Sequence, residues 1–298
     1  VSVSFASLRT SLREREDIHI LAALTAVSAW GIGPILNKSM SVSSSTIVFY
    51  RILIGAPIMV VMAYLNGGRI TKELLRKSSI PGLLFGASMI AGFAAFQHTS
   101  IANSTLVTTL QPVLIMFVAP KMFGEKLTAR KIFYSVTAMI GVLIVVLAAA
   151  STSGAHISGD LLAVLNVVIW TAYFVMAKVR RHDGVHSWAF LATVFMWAAV
   201  VALPFGLVTS NDLTAMTTKD WVLIVTMALI PGVVGHGMMT WSQSHLDVSL
   251  ASLLGLLSPV ISAVLAWLIL HQTLTPMQLV GGLVVLVSMG LLLRVQNI

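Results

Sequence analysis

The stretch LLSPVISAVLAWLILHQTLTPMQ, residues 256–278, has a near-twin in TLQPVLIMFVAPKMFGEKLTARK, residues 109–131. Aligning Pro112 with Pro259 brings Leu127-Thr128 onto Leu274-Thr275. Each copy runs from a proline through an apolar stretch to a short polar turn, then Leu-Thr and a second apolar run. The first turn carries Lys121, Glu125, Lys126, Arg130 and Lys131, while the second carries no charge. The repetition and the unequal charge together decide the fold.

Composition names the solvent. Of 298 residues, 57% are hydrophobic and 9% charged, against about 25% charged in soluble domains. A water-facing surface cannot be built from this, so most of the surface faces lipid. The net charge of +8 raises nucleic acid as a partner, but the basic residues sit in short gaps between apolar runs, so no nucleic acid is expected. The chain has no cysteine, which removes disulfides, thiol catalysis and Cys-based metal sites. The opening VSVSFASLRTSLRERED is polar and basic, without the apolar core and cleavage site of a signal peptide.

A bilayer core of about 30 Å takes roughly 20 apolar residues per helix. The sequence predicts ten such spans: 18–37, 46–65, 80–98, 104–122, 132–150, 161–178, 188–208, 221–241, 248–270 and 277–293. Counted from an internal N-terminus, 15 of the 18 Lys and Arg fall on the inner side. Lys38 and Lys219 fall outside, and Arg51 lies within a span. By the positive-inside rule both termini are expected in the cytoplasm of a cytoplasmic-membrane protein.

The twins are then spans four and five and spans nine and ten. Five is odd, so the second copy enters the membrane inverted, and its turn faces outward where Lys and Arg are disfavoured. The repeat reaches further: His98 and His245 share the 147-residue offset of Pro112 and Pro259. Trp30 with Trp170 and Lys38 with Lys178 share an offset of 140. The expected fold is an all-α membrane protein of ten transmembrane helices in two inverted five-helix repeats. The repeats run over 18–150 and 161–293, with an internal tail 1–17, an external linker 151–160 and an internal C-terminus 294–298. Inverted repeats point to a transporter with its site at mid-membrane.

The stretches TSIANSTLVTTLQPVLIMFVAPKMFGEKLT and SHLDVSLASLLGLLSPVISAVLAWLILHQTLTPMQLVGG resemble the drug/metabolite transporter superfamily, specifically the EamA-type ten-helix permeases. The resemblance covers about residues 22–146 and 161–293. It implies a cavity walled by spans one to four and six to nine, with spans five and ten peripheral. It also implies export of small metabolites or drugs, with no cofactor. Gln272 stands where the second turn of the family usually has Glu, which leaves Glu125 as the one carboxylate of that kind available for gating.

None of the ten acidic residues lies in the middle third of a predicted span. Cationic-drug/proton antiport through a membrane carboxylate is therefore disfavoured, and His236 is the remaining candidate to carry a coupling proton. It sits in IPGVVGHGMMTW, where Pro231 removes a helix hydrogen bond and Gly232 and Gly235 thin the helix. Pro112 and Pro259 are further candidates for kinks or gates. Arg51 has two readings, snorkelling to headgroups or capture of a substrate carboxylate. Trp30 and Trp170, with Tyr173 one turn beyond and Trp241 near His236, are the candidate aromatic walls. Asn37, Gln97 and Gln111 are polar groups expected to face the bundle because lipid offers them no partner. Such a site suits a small amino acid-like or weakly amphipathic solute. Trp188 and Trp221 are read as membrane-interface anchors. His182 and His186 have metal-like spacing but lie in a loop, so no metal is expected. No GxxxxGK[ST] loop is present, and no enzymatic activity is expected. A drug exporter and a passive channel are the alternatives, and either a monomer or a homodimer is compatible with the sequence.

Overall fold

A computed structural model describes residues 16–98, 107–149, 157–271 and 274–296, and every regular element among them is helical. In chain order they are α1 (Glu16–Ser39), α2 (Ser44–Leu65), the short α3 (Lys72–Lys77), α4 (Ser79–His98), α5 (Gln111–Phe123), α6 (Ala129–Ala149), α7 (Ile157–His182) and α8 (Ser187–Thr209). Then α9 (Thr218–Met227) runs through a π-helical stretch, Ala228–Gly235, into α10 (His236–Ser242). The last elements are α11 (Val248–Leu254), α12 (Leu257–Leu270) and α13 (Pro276–Gln296).

Among the described residues, eight helical stretches are long and apolar enough to cross a membrane, so this is a multi-pass membrane protein. The expectation of ten full-length spans needs adjusting at two places. The apolar part of α4 is Ser79–Ala95, and the fourth predicted span appears as the 13-residue α5. Its predicted start at Ser104 lies outside the described residues. The reason α5 starts late is local. Leu110 N–H donates to Val107 O at 3.0 Å, closing a tight turn, and Pro112 then occupies the first turn of α5, where its missing N–H costs nothing. The twin sequence does the same. Gly255 and Leu256 donate to Ser252 O and Leu253 O at 3.1 and 2.9 Å, and Pro259 falls in the first turn of α12. Both prolines thus begin a helix after a tight turn rather than kinking one in mid-course.

Lipid supplies no hydrophobic drive between helices, so close approach at small residues must hold the bundle. A Cβ on Gly141 of α6 would lie 2.9 Å from Gly281 O, and one on Gly281 of α13 would lie 2.7 Å from Gly141 O. The two helices therefore touch backbone to backbone. Their other faces carry Phe133 and Leu283, 65% and 63% exposed, which marks α6 and α13 as lipid-facing. Elsewhere Gly82 and Gly86 of α4 meet Val194, Trp197 and Ala198 of α8, and Gly206 of α8 meets Phe49 of α2. Around these crossings α1 packs on α12 and on the π stretch, α2 on α8, and α4 on α7 and α8.

Candidate functional site

The interrupted helix α9–α10 makes the site. Pro231 has no N–H to give, and the chain passes it in a π-helical stretch before His236 N–H resumes bonding, to Gly232 O and Val233 O. Such bulges recur at functional sites. Gly235 and Gly237 leave room for two indoles: a Cβ would stand 2.6 Å from Trp30 Nε1 at Gly235 and 2.3 Å from the Trp188 ring at Gly237. Between them the His236 imidazole is buried among Phe85, Trp30, Trp170 and Phe195, with ring centroids at 5.0, 5.4, 5.9 and 6.0 Å.

Trp30 and Trp170, paired at the sequence level, meet edge to face at 6.0 Å. Tyr173 packs on Trp170 at 5.2 Å and on Phe85 at 5.0 Å. Between Trp30, Trp170, Tyr173, His236, Thr240 and Gln243 the free space is only about 10 Å³, the room one water needs. The rings are therefore closed on one another and must part to admit a solute.

Arg51 enters from α2 with its guanidinium beside His236. Its Nη2 lies 3.4 Å from His236 Nε2, and since a guanidinium can only donate, that nitrogen is the acceptor of the contact. Arg51 Nε is buried with no protein acceptor, and so is Trp30 Nε1. Among the described residues no carboxylate pairs with Arg51.

The other sequence candidates lie elsewhere. Trp241 stacks on His19 at 4.2 Å, and His19 stacks in turn on His245 at 3.9 Å. Asn37 is half-buried near the end of α1. Gln111 opens α5, with its Nε2 buried and unpartnered. The side chain of Gln97 lies outside the described residues. Asn166, which is not among those candidates, packs α7 on α4: its Oδ1 accepts from Ser88 Oγ at 2.7 Å. Trp188, expected at the interface, is 8% exposed against Gly237, whereas Trp221 is 41% exposed. Phe85 and Phe195 were not singled out in the sequence. Their only signal is the small-residue face of Gly82 and Gly86, which marks where α4 approaches α8.

At the end of the bundle where α1 begins, four sets of contacts close the helices together. Glu125, just beyond α5, accepts the N–H groups of Val248 and Ser249 at 2.6 and 3.2 Å, capping α11. Lys131 pairs with Asp247 at 3.4 Å. Lys178 of α7 donates to Gln243 O and Leu246 O at 2.8 and 2.6 Å, and Arg181 donates to Thr240 O at 3.0 Å. These cations sit on the carbonyl end of α10, where the helix dipole favours them. The fourth set is the stack of His19 with Trp241 and His245.

The opposite end is partly open. A cavity of about 490 Å³ is lined there by Ser43, Ser45, Ala94, His98, Thr209 and Asp212, within the size range of small-molecule sites. Asp212 accepts from Ser43 N at 2.6 Å, Ser43 Oγ at 2.7 Å, Ser210 Oγ at 3.1 Å and the Thr46 hydroxyl. Burial pushes its carboxyl up, but these hydrogen bonds outweigh it and leave the group below the usual carboxylate range. It stays ionised at neutral pH and ties the α8–α9 link to the start of α2.

The chain matches the EamA-like transporter family over residues 17–147 and 157–294. A relative from Bacillus subtilis, named "Uncharacterized transporter YyaM", is 26% identical over 84% of each chain. A Salmonella typhimurium protein named "Probable amino-acid metabolite efflux pump" is 27% identical over 72% of this chain and 76% of its own. A Streptantibioticus cattleyicolor protein named "Probable terminal-alkyne amino-acid exporter" is 23% identical over 62% and 61%. A solved crystal structure with 18% identity superposes on 94% of this chain and 99% of its own with a TM-score of 0.75, a likeness of fold. With the match running through both halves, and with a membrane bundle built around a broken helix, the chain belongs to the EamA-like transporter family, whose members are transporters rather than enzymes.

Proposed function

We propose that this protein is a secondary carrier moving a small amino acid-like or weakly amphipathic solute outward across the cytoplasmic membrane by alternating access. The observation that carries the reading is the aromatic site around the broken helix at His236, set between an end sealed by polar contacts and an end holding a cavity of about 490 Å³. The names of the Salmonella and Streptantibioticus relatives, an efflux pump and an amino-acid exporter, support both the amino acid-like solute and the outward direction.

The moving parts are two inverted five-helix repeats, over residues 18–150 and 161–293, joined by an external linker at 151–160. Helix contacts support this. Exchanging the repeats maps the α6–α13 and α2–α8 pairs onto themselves. It maps α4–α7 onto the packing of α1 against the π stretch and α10, and α5–α7 onto α12–α1, all of which are observed. The links correspond too: Ser43 meets Asp212 at one end, and Asn66 O meets His186 Nε2 at 3.0 Å at the other. A twofold axis in the membrane plane produces such a pattern. The excess of Lys and Arg on one side supports both termini being cytoplasmic.

His236 is the candidate for proton coupling. Protonating Nε2 would remove the acceptor that faces Arg51, so proton uptake there requires that contact to break. Counterflow in proteoliposomes tests the proposal. A carrier shows uptake of labelled solute stimulated by unlabelled solute on the far side, and a passive channel shows none. Acidifying one side should drive transport in the native protein and not in His236→Gln. If pH-driven uptake survived that substitution unchanged, proton coupling through His236 would fall while the carrier reading stood.

A further inference from the structure

Two of the buried donors at the site have no acceptor in the protein: Arg51 Nε and Trp30 Nε1. Both belong to side chains that touch His236, Arg51 at 3.4 Å between nitrogens and Trp30 at 5.4 Å between rings. Neither group can accept a hydrogen bond. Among the described residues, Glu125 is engaged on α11, Asp212 and Asp220 on Ser43 and Ser41, and Glu73, Asp183 and Asp247 on Lys77, Arg180 and Lys131. A guanidinium in a bundle core without a carboxylate is costly, and the chain keeps one on the same imidazole that the Trp30 ring packs against.

We propose that the solute supplies the missing acceptor: the site takes the carboxylate of an organic monoacid, held between Arg51 and the Trp30 N–H, with the apolar body of the acid among Phe85, Trp170 and Tyr173. This rests on the carrier reading and narrows its substrate class. A carboxylate matches the planar guanidinium fork. A phosphate dianion would leave surplus negative charge in a site with a single cation and aromatic walls, and a cation would meet Arg51 with no counter-charge. An amino acid fits as well, its ammonium resting on ring faces. Entry of the acid also draws Arg51 off His236, which releases the imidazole nitrogen it occupies.

The test uses the full chain in lipid nanodiscs and matched pairs: phenylalanine and leucine against their carboxamides, and phenylacetate and 4-phenylbutyrate against theirs. Apparent Tm and dissociation constants are measured for each. The expected result is at least one pair in which the acid raises Tm and the amide does not. Arg51→Gln should weaken acid binding by at least about tenfold and abolish the preference over the amide, while Arg51→Lys keeps the preference at lower affinity. Trp30→Phe, which keeps a ring and loses the N–H, should weaken binding about three- to tenfold. Equal stabilisation by acids and amides, no acid-specific shift anywhere in the panel, or a preference surviving in Arg51→Gln would each overturn the assignment. Robust counterflow of an amide would sink it and leave the carrier reading intact. Acid-specific binding without counterflow would do the reverse.

Discussion

Glu125→Ala is expected to unlatch the sealed end of the bundle, raising the reactivity of a cysteine at position 243 toward a membrane-impermeant reagent by about 30- to 140-fold. The chain contains no cysteine, so the Gln243→Cys reporter is the sole label, and residue 243 lines the small internal space. The magnitude follows from the two hydrogen bonds lost. Glu125 accepts from Val248 and Ser249 at 2.6 and 3.2 Å. Bonds to a charged group contribute about 1.5–3 kcal/mol each when buried, and partial exposure brings the pair down to about 2–3 kcal/mol. At 1.4 kcal/mol per factor of ten, that moves a two-state equilibrium by the stated amount. Glu125→Gln keeps an acceptor without the charge and should fall between. Reactivity unchanged in both variants would remove Glu125 from the gate and leave it a helix cap.

Gly235→Val should cost at least about tenfold in transport, with a fall in stability of about 1–3 kcal/mol from overpacking. A Cβ at residue 235 would stand 2.6 Å from Trp30 Nε1 and 2.7 Å from its Cδ1, so the indole has to leave its place against His236. Gly33, also on α1, has nothing within 4 Å of the same added atom. Gly33→Ala should therefore leave transport unchanged within about twofold, since helix propensity there favours alanine. If both substitutions were neutral, the Trp30–Gly235 contact would have no part in the solute site.

The contrast between Trp170 and Trp241 shows what was legible in the chain and what was not. Depth in the membrane could be counted for Trp30 and Trp170, which the repeat offset paired and which meet. Rotation about the helix was harder. Trp241 lies five residues after His236, and at about 100° per residue it points roughly 140° away, toward His19 instead of the aromatic site. Trp188 shows a second limit. As the first apolar residue after a basic link it looks like an interface anchor, yet the pocket that buries it is made by Gly237, on another helix. Phe85 and Phe195 are hidden for the same reason: an aromatic in an apolar run carries no mark of which neighbour it faces. Arg51 was visible as the one charge inside a span, but its contact with His236, on another helix, could not be read from the chain. The late start of α5 depended on a turn at residues 107–110 that hydropathy does not register.

Alternating access is tested most directly by two single-cysteine reporters read in the same membranes, Ala94→Cys in the open cavity and Gln243→Cys at the sealed end, each with and without Glu125→Ala. In the native background position 94 should react with an impermeant maleimide in spheroplasts while position 243 is protected in inverted vesicles. With Glu125→Ala the two should exchange, position 243 gaining reactivity as position 94 loses it. Position 243 opening while position 94 stays fully reactive would mean a continuous pore, and a carrier that rocks between two closed ends would be ruled out.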